Sequence, residues 1–353
     1  MQALNTIKMK IPVIDRDSKD GDINYKPPNS FPIGPNFVKY EHNPILTPNP
    51  DNEFENSYLY NATAIVIDDR VFLLYRAQNQ DKVSSVGIAW SNDGYKFVRY
   101  NKPILKPTES YEKGGCEDPR IVRDPVSKLF IMTYTAYDGK DARLCIATSE
   151  NLFDWTKYPP IINPDSDWHD IAFSSDNKET IRTGWSKSGA IFVEKHKDGK
   201  YYMIWGDSAF HLAESTDLIS WKLTSNTYKD NIFAKGIFNW QDKLIEPGAA
   251  PIKLQYESST KNHYVLFYNS ATKGSGEYAK GTYSISQMLV DYDDLSGPLA
   301  RMDKPFLVPD SDNEIEGQVD QVVFTEGIVQ FHGKWFLYFG QGDSELGVAT
   351  CDV

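Results

Sequence analysis

A pattern of strands and turns occurs five times in this sequence, and it restricts the possible fold more than any other feature. Each copy contains a strand of β-branched residues, a polar turn, an aromatic-rich strand and a strand of small residues, with a repeat of about 60 to 70 residues. The opening strands cover residues 62–67, 120–122, 190–194, 250–254 and 321–325. Helical periodicity is nearly absent. Five similar units of this kind indicate radial repetition.

We therefore predict an all-β fold, a five-bladed β-propeller that forms one domain over residues 41–353. A pair of β-sandwiches is the alternative, but it would not explain five similar units. Residues 1–40 are polar and rich in Asp, Lys, Pro and Asn, which predicts an irregular N-terminal arm packed on the body. Residues 15–22 faintly resemble a calcium loop, but Lys19 and Lys26 stand at ligand positions, so we predict no metal site.

The composition argues against several classes of protein. The formal net charge of -12 argues against a nucleic-acid partner, because phosphates require clustered Lys and Arg. The sequence contains no apolar run long enough to span a membrane. Residues 1–14 lack the apolar core of a signal peptide, which leaves the cytoplasm or, after removal of a leader, the periplasm open. Three cysteines, Cys116, Cys145 and Cys351, predict neither a disulfide framework nor a zinc site.

Polar residues precede the opening strand of every copy. In a propeller the innermost strands surround a central funnel, so residues at these positions converge on the axis from different blades. Two carboxyl groups in such a funnel could acquire separate pKa values, as acid–base catalysis requires. The densest group is the segment 114–120, which ends in Glu117-Asp118-Pro119-Arg120. The full set at these positions is Asn61, Asp118, Arg120, Lys187, Glu246, Gln318 and Asp320.

Five segments, one in each repeat, resemble glycoside hydrolase family 130. They are Tyr75-Arg76-Ala77, Glu117-Asp118-Pro119-Arg120, Lys187-Ser188-Gly189-Ala190, Glu246-Pro247-Gly248 and Gly342-Asp343-Ser344. The resemblance extends from about Asn43 to the C terminus. It implies a five-bladed propeller enzyme that acts on β-mannosides, with an oligosaccharide as its substrate, no cofactor, and oligomerisation as an open possibility.

The resemblance also implies roles for individual residues. Asp118 corresponds to the family's proton donor, and Asn61, Arg76 and Asp343 correspond to residues that hold the sugar. The predicted substrate-binding set also contains Glu117, Arg120, Lys187, Tyr268 and Asn269. Arg120 either orients the acids of its own segment by a bidentate contact or forms a purely structural ion pair.

Family 130 contains both hydrolases and phosphorylases, and three positions bear on the difference. The phosphorylases resemble one another in a Tyr-His pair, which is Tyr268-Asn269 in this sequence, and in an Arg where Asp207 stands. The β-1,2-mannosidase branch instead carries two essential carboxylates, which correspond to Asp207 and Glu246. Lys187 and Arg143 resemble basic residues that help to bind phosphate, and they keep phosphorolysis open.

Our leading hypothesis is an inverting exo-β-mannosidase specific for β-1,2 linkages, with Asp118 as proton donor and Glu246 and Asp207 activating water. A phosphorylase that releases mannose 1-phosphate is the main alternative. A non-catalytic glycan-binding propeller and a propeller hydrolase of arabinans or fructans are further alternatives.

Overall fold

The computed structural model describes residues 10–34, 36–162, 167–256, 260–274 and 276–353. Within these ranges nearly all regular structure is β-strand, which confirms the all-β class. The helical segments are single turns at Glu53–Glu55, Ser110–Glu112, Asn239–Gln241 and, as α1, Asp312–Ile315. None of the described helices has the length and apolar character needed to cross a membrane.

The strands form five antiparallel meanders, preceded by the short strand β1 (Val38–Lys39). The first meander contains β2 (Tyr58–Ile67), β3 (Arg70–Gln78), β4 (Ser84–Ser91) and β5 (Val98–Arg99). The second contains β6 (Gly115–Arg123), β7 (Phe130–Tyr137), β8 (Ala142–Ser149) and β9 (Thr156–Lys157). A single parallel pairing, between Ser84 and Gly115, joins β4 to β6.

The second and third meanders are separated by a hairpin that has no counterpart in the other repeats. It contains β10 (His169–Phe173) and β11 (Glu179–Thr183), which pair only with each other among the described strands. The third meander contains β12 (Gly189–Ile191), β13 (Tyr201–Trp205), β14 (Phe210–Ser215), β15 (Trp221–Leu223) and β16 (Ile232–Ala234).

The fourth and fifth meanders complete the body. The fourth contains β17 (Leu244–Pro247), β18 (Ile252–Lys253), β19 (His263–Ala271), β20 (Tyr283–Asp291) and β21 (Pro298–Arg301). The fifth contains β22 (Val323–Phe331), β23 (Lys334–Gln341) and β24 (Glu345–Asp352). Strand β1 pairs antiparallel with β24, so that residues near the two ends of the described chain lie in one sheet.

Five apolar clusters connect the meanders in cyclic order. Phe72 packs with Tyr134 between the first and second meanders, and Leu144 lies with Met203 between the second and third. The next two clusters join the third meander to the fourth and the fourth to the fifth. The last cluster contains Leu73 of β3 and Tyr338 of β23, so it joins the fifth meander to the first. In the described part of the chain no single sheet closes on itself.

The N-terminal arm lies at the C-terminal ends of the innermost strands. The Gly21 amide donates to the carbonyl of Val66 at the end of β2 (2.9 Å). Gln330 exchanges two hydrogen bonds with the backbone of Lys26, at 2.6 and 2.8 Å. A cavity of about 280 Å³ under the arm is lined by the innermost strands or their extensions from all five meanders, at residues 64–66, 122–123, 191 and 193, 250–252 and 328–330. Residues 1–9 and 35 of the predicted arm lie outside the described residues.

Candidate active site

The inner strands of three meanders contain a bulge close to their N-terminal ends. The strand register shifts around Asn61 in β2, between Glu117 and Arg120 in β6, and around Glu326 in β22. Asn61 and Asp118 have positive φ angles of 47° and 51°. A bulge leaves one residue outside the ladder and redirects its side chain. These three bulges therefore explain how polar side chains from different meanders point into one region.

Asp118 lies at the centre of this region and is 1% exposed. One carboxylate oxygen accepts hydrogen bonds from Asn61 Nδ2 (2.9 Å) and Arg76 Nη1 (3.1 Å). The other lies 2.7 Å from Lys187 Nζ. Burial opposes the ionisation of Asp118, but the charges of Lys187 and Arg76 outweigh it and hold the pKa of this carboxyl well below its ordinary value. Asp118 is therefore a carboxylate in the empty site.

Arg76 connects Asp118 to the remaining predicted sugar contacts of the first two meanders. Its Nη2 donates to Glu117 Oε1 (2.7 Å), and its guanidinium carbon lies 4.8 Å from the centre of the Tyr60 ring. Burial raises the pKa of Glu117 despite the opposing charge of Arg76. Burial also raises the pKa of Asp343 to about 6, again against the charge of Arg76. The structure therefore brings the sugar-holding set of the family resemblance together.

Of the two roles left open for Arg120, its contacts favour the structural one. Its guanidinium donates to the carbonyl oxygens of Pro247 (2.7 Å) and Gly248 (2.9 Å) in the fourth meander, and to that of Asp118 (3.1 Å). It does not bind the carboxylates of its own segment in a bidentate manner. Instead it joins the backbone of β6 to that of the fourth meander, and its Nη2 lies 3.2 Å from Glu326 Oε1.

Glu246, at 4% exposed, lies on the other side of Lys187 from Asp118. Its Oε1 is 3.8 Å from Lys187 Nζ and 3.8 Å from Arg120 Nη2, and it accepts a hydrogen bond from Ser188 Oγ. Burial raises the pKa of Glu246, which Lys187 only partly offsets and the nearby Asp207 reinforces. Asp118 and Glu246 therefore face one ammonium group from the second and fourth meanders.

Asp207 is held by donors that the sequence analysis did not identify. Arg182 of the β10–β11 hairpin donates to both of its oxygens, at 2.7 and 3.1 Å, and Trp185 Nε1 donates at 3.1 Å. The Arg182 guanidinium also binds Asp170 (2.7 Å from Nε) and lies 4.2 Å from the Trp185 ring. Burial opposes ionisation of Asp207, but Arg182 and Lys187 lower its pKa. The Arg182 guanidinium thus lies directly against the carboxylate of Asp207.

Two predicted substrate contacts lie in the packed interior. Tyr268 is fully buried among Phe210 and Trp240, and its hydroxyl accepts a hydrogen bond from Gln241 (3.1 Å). Asn269 is also fully buried. Its amide nitrogen donates to the carbonyl of Thr325 (2.9 Å), and its amide oxygen accepts from the Thr325 amide (2.8 Å). These contacts correct the prediction, because they favour roles in core packing and in joining the fourth and fifth meanders.

The expected contribution of the fifth repeat also differs. Asp320 is exposed, and Gln318 donates to Gln78 (2.9 Å). Glu326 occupies the inner position instead, fully buried beside Arg120, and burial raises its pKa well above the ordinary value. The predicted opening strand of the fifth copy ends at residue 325, one position before Glu326. The next residue, Gly327, leaves room for β2, because a Cβ at this position would lie 2.7 Å from the carbonyl oxygen of Ala62.

A cleft of about 500 Å³ lies beside Asp207. Its walls come from the β7–β8 turn and the segment that follows β10, and they include Lys140, Arg143, Arg182 and Trp185. Arg143 is paired with Asp138 (2.8 Å). In the described residues no group of three or more acids, histidines or cysteines has the arrangement of a metal site.

Buried carboxyl groups with pKa values shifted in opposite directions, surrounded by fixed hydrogen-bond donors, are typical of an enzyme active site. The family model described as beta-1,4-mannooligosaccharide phosphorylase matches residues 34–353. The chain belongs to glycoside hydrolase family 130, which confirms the resemblance.

Two curated relatives come from Thermoanaerobacter sp. (strain X514). A 1,2-beta-oligomannan phosphorylase is 30% identical over 88% of this chain and 95% of its own length. A beta-1,2-mannobiose phosphorylase is 28% identical over 90% of this chain and 97% of its own length. A solved structure from work on "glycoside hydrolases that target beta-1,2 mannosidic linkages in Candida mannan" within this family is 30% identical, with a TM-score of 0.77 and coverage of 93% and 97% of the two chains.

Proposed function

We propose that the protein is an inverting, exo-acting β-mannoside hydrolase that cleaves β-1,2 linkages. The observation that carries this proposal is that Asp118 and Glu246 face the same Lys187 nitrogen, at 2.7 and 3.8 Å. Because both contacts share one atom, the two carboxylate oxygens lie no further apart than the sum of these distances. That upper limit, about 6.5 Å, reaches the lower end of the separation of about 6.5 to 9.5 Å in inverting glycosidases and also admits the about 5 to 5.5 Å of retaining ones. Inversion is therefore proposed from the family resemblance. We infer the β-1,2 linkage from the names of the relatives.

In this mechanism Asp118 supplies the proton to the departing oxygen, directly or through a sugar hydroxyl, and Glu246 activates water on the opposite face of the sugar. Asn61, Arg76, Glu117 and Asp343 provide donors and acceptors for the mannose hydroxyls. Asp207 supports Glu246 indirectly, since its own oxygens are occupied by Arg182 and Trp185. A carboxylate with filled acceptor positions and a lowered pKa is a weak base.

The charge balance of the site favours water over phosphate. All four cations contact carboxyl groups, and the acids outnumber them: Arg76, Arg120, Lys187 and Arg182 against Glu117, Asp118, Asp170, Asp207, Glu246, Glu326 and Asp343. A phosphate dianion entering this region would have to displace a carboxyl group from one of these cations. Water meets no such barrier.

Phosphorolysis is the second candidate, and the printed names of the two curated relatives favour it. The cleft lined by Lys140, Arg143 and Arg182 offers a place for phosphate beside the site. Arg182 also supplies a guanidinium at the position where Asp207 replaces the family's Arg. The two candidates therefore differ in whether these cations can release their carboxylate partners.

Incubation with β-1,2-mannobiose, with and without inorganic phosphate, separates the candidates. The hydrolase proposal expects mannose in both conditions, first as the α-anomer in proton NMR because the reaction inverts configuration. Phosphate-dependent formation of mannose 1-phosphate would contradict the hydrolase proposal and identify the enzyme as a phosphorylase. Binding without turnover in either condition would favour a non-catalytic glycan-binding protein.

We also infer that the five meanders are the blades of a five-bladed propeller and that residues 41–353 form one domain. Two observations support this: the apolar clusters connect the meanders in cyclic order, and one cavity is lined from all five. A crystal structure with the inner strands arranged around a single axis is the expected outcome. Two separate sandwich cores would contradict it.

A further inference from the structure

Lys187 lies between the two carboxyl groups on which the proposed reaction depends. Its ammonium group contacts Asp118 at 2.7 Å and is 3.8 Å from Glu246, so a movement of about 1 Å would exchange the closer partner. One ammonium group close to a carboxylate stabilises its ionised form, whereas the carboxyl group left without it is more readily protonated in a buried site. Arg76 also contacts Asp118 (3.1 Å) and Arg120 lies 3.8 Å from Glu246. Each acid therefore keeps a guanidinium neighbour, and the position of Lys187 shifts the balance of negative charge between them.

The backbone around Lys187 is held firmly, which confines any movement to the side chain. The Gly206 amide donates to the carbonyls of Lys187 (2.8 Å) and Ser188 (3.2 Å), and the Ser186 amide donates to the carbonyl of Ala142 (3.1 Å). The Lys187 side chain retains 19% exposure. Lysine carries its charge on a flexible stem with rotatable donors, unlike the planar fork of arginine.

The closer contact of Lys187 with Asp118 favours the reverse of the charges that the chemical step requires. Asp118 holds the close contact with Lys187 and is ionised, whereas burial keeps Glu246 nearer to its protonated form. Hydrolysis needs a proton on Asp118 and a charge on Glu246. The other groups around Lys187 and its two partners are Asn61, Arg76, Glu117, Arg120, Ser188, Asp207, Tyr283, Glu326 and Asp343.

We propose, building on the proposed hydrolase function, that Lys187 is a positioning residue whose ammonium group moves from Asp118 to Glu246 when mannoside binds and returns after cleavage. A sugar hydroxyl that takes its place at Asp118 is the trigger. Asp118 then takes up a proton from solvent, and Glu246 gives one to solvent.

The chemical step restores the starting charges. The glycosidic carbon–oxygen bond breaks, and the anomeric carbon bonds to the oxygen of water. The Asp118 proton ends on the departing sugar oxygen, and a proton from the attacking water ends on Glu246. Asp118 is then ionised and Glu246 protonated, so Lys187 returns to Asp118 and water is the one co-reactant.

The test compares pH profiles of kcat and KM on β-1,2-mannobiose for the wild type, Lys187→Met and Lys187→Arg. Loss of the charge in Lys187→Met raises the pKa of both carboxyls, so the bell-shaped kcat profile moves to higher pH while kcat falls by about 10²-fold or more. In Lys187→Arg the planar guanidinium stays on Asp118 and keeps the pKa of that carboxyl low. As a result kcat falls, and the alkaline limb of its pH profile moves to lower pH. Shifts in opposite directions are expected.

Lys200→Met is the matched control, because Lys200, which directly precedes β13, forms a lysine–glutamate pair with Glu214 (2.8 Å) on β14 of the same meander. It leaves the profile unchanged. An unshifted profile in both Lys187 variants with reduced kcat would assign a merely structural role, and a raised KM with unchanged kcat would assign simple sugar binding; either result overturns the proposal.

A structural readout separates this proposal from the proposed function. Crystal structures of the wild type alone and with D-mannose are expected to show Lys187 Nζ nearer to Asp118 and nearer to Glu246, respectively. If the enzyme releases no mannose from β-1,2-mannobiose, the hydrolase function fails, and the two structures decide the movement alone. Lys187 on Asp118 in both, or an enzyme crystal that binds no mannose, rejects the movement.

Discussion

Arg182 donates hydrogen bonds to both carboxylate oxygens of Asp207, at 2.7 and 3.1 Å. The two residues come from different elements, since Arg182 lies in the β10–β11 hairpin and Asp207 follows β13 of the third meander. The hairpin thus places a guanidinium against the carboxylate that follows β13. This relationship changes the meaning of Asp207, because a carboxylate engaged in this way anchors its neighbours and has little capacity to accept a proton from water.

Substitution of Asp207 should therefore cost less activity than substitution of Glu246. We expect Glu246→Gln to lower kcat on β-1,2-mannobiose by about 10²- to 10⁴-fold, the range for loss of a general base. Asp207→Asn should lower it by about 10-fold, because Arg182 and Trp185 lose part of their anchor. Steady-state kinetics of both variants provides the measurement. A larger loss for Asp207→Asn would make Asp207 the base.

Asp118→Asn should abolish most turnover while leaving sugar binding in place. The amide keeps the acceptor for Asn61 and Arg76 but has no proton to give, so we expect kcat to fall by about 10²- to 10⁴-fold. Calorimetric titration with mannose checks that binding survives. Unchanged turnover in Asp118→Asn would remove the proton-donor assignment.

Asn269→Ala should destabilise the fold rather than change the attacking nucleophile. It removes two buried hydrogen bonds between the fourth and fifth meanders and leaves the Thr325 amide and carbonyl unpaired, at a cost of about 1 to 3 kcal/mol per unsatisfied group. Urea unfolding measures this loss. Asn313→Ala is the control, since Asn313 is exposed and bonds Glu345 at the surface. Equal stabilities of the two variants would contradict the assignment.

Asp343 should make stability fall as the pH rises from about 4 to about 6. Burial raises its pKa from 3.8 to about 6, so between these values the folded state binds more protons than the unfolded state. Stability decreases with pH wherever the folded state is the more protonated one, and the change ends above the folded-state pKa. Asp343→Asn removes this dependence. Between about pH 4 and about pH 6, the free energy of unfolding of the variant should therefore rise relative to that of the wild type by about 1 to 3 kcal/mol.

Asp138 should change the stability with pH in the opposite direction, and Asp138→Asn tests this. Burial opposes the ionisation of Asp138, but hydrogen bonds from the Asp141 backbone and the Arg143 side chain lower its pKa to about 2. Its contribution is therefore present above the unfolded-state pKa and is lost as the pH falls through about 2. Urea unfolding at several pH values follows both variants. A parallel response of the two would show that Asp343 does not titrate as assigned.

The repeats in the sequence were sufficient to predict strands and the family, because strand formation and inward or outward alternation depend on residues close together in the chain. Asn61, Asp118, Lys187 and Glu246 were identified because each precedes the predicted opening strand of its copy, and Arg76 from the family resemblance. The structure brings these five residues together. The convergence of the first four was predictable because they occupy the same place in their repeats.

The residues that the sequence analysis missed have no local signal. Arg182 and Asp170 lie in a hairpin that matches no other repeat, and Glu326 lies one residue beyond the end predicted for the opening strand of its copy. Tyr268 and Asn269 were assigned to the site because they occupy positions of the family's Tyr-His pair. Whether such a side chain faces the site or packs between sheets depends on neighbouring meanders that are distant in sequence.

The sequence by itself determined the all-β class, the fivefold repeat and the family, since these depend on periodicity and on short segments. Only the tertiary structure decided which charges meet. Lys187 lies between Asp118 and Glu246, and Arg182 binds Asp207, because the inner strands and the hairpin bring together residues separated by tens of positions. Their protonation states depend on burial and on the distances between charges, and neither quantity can be read from the order of residues in the chain.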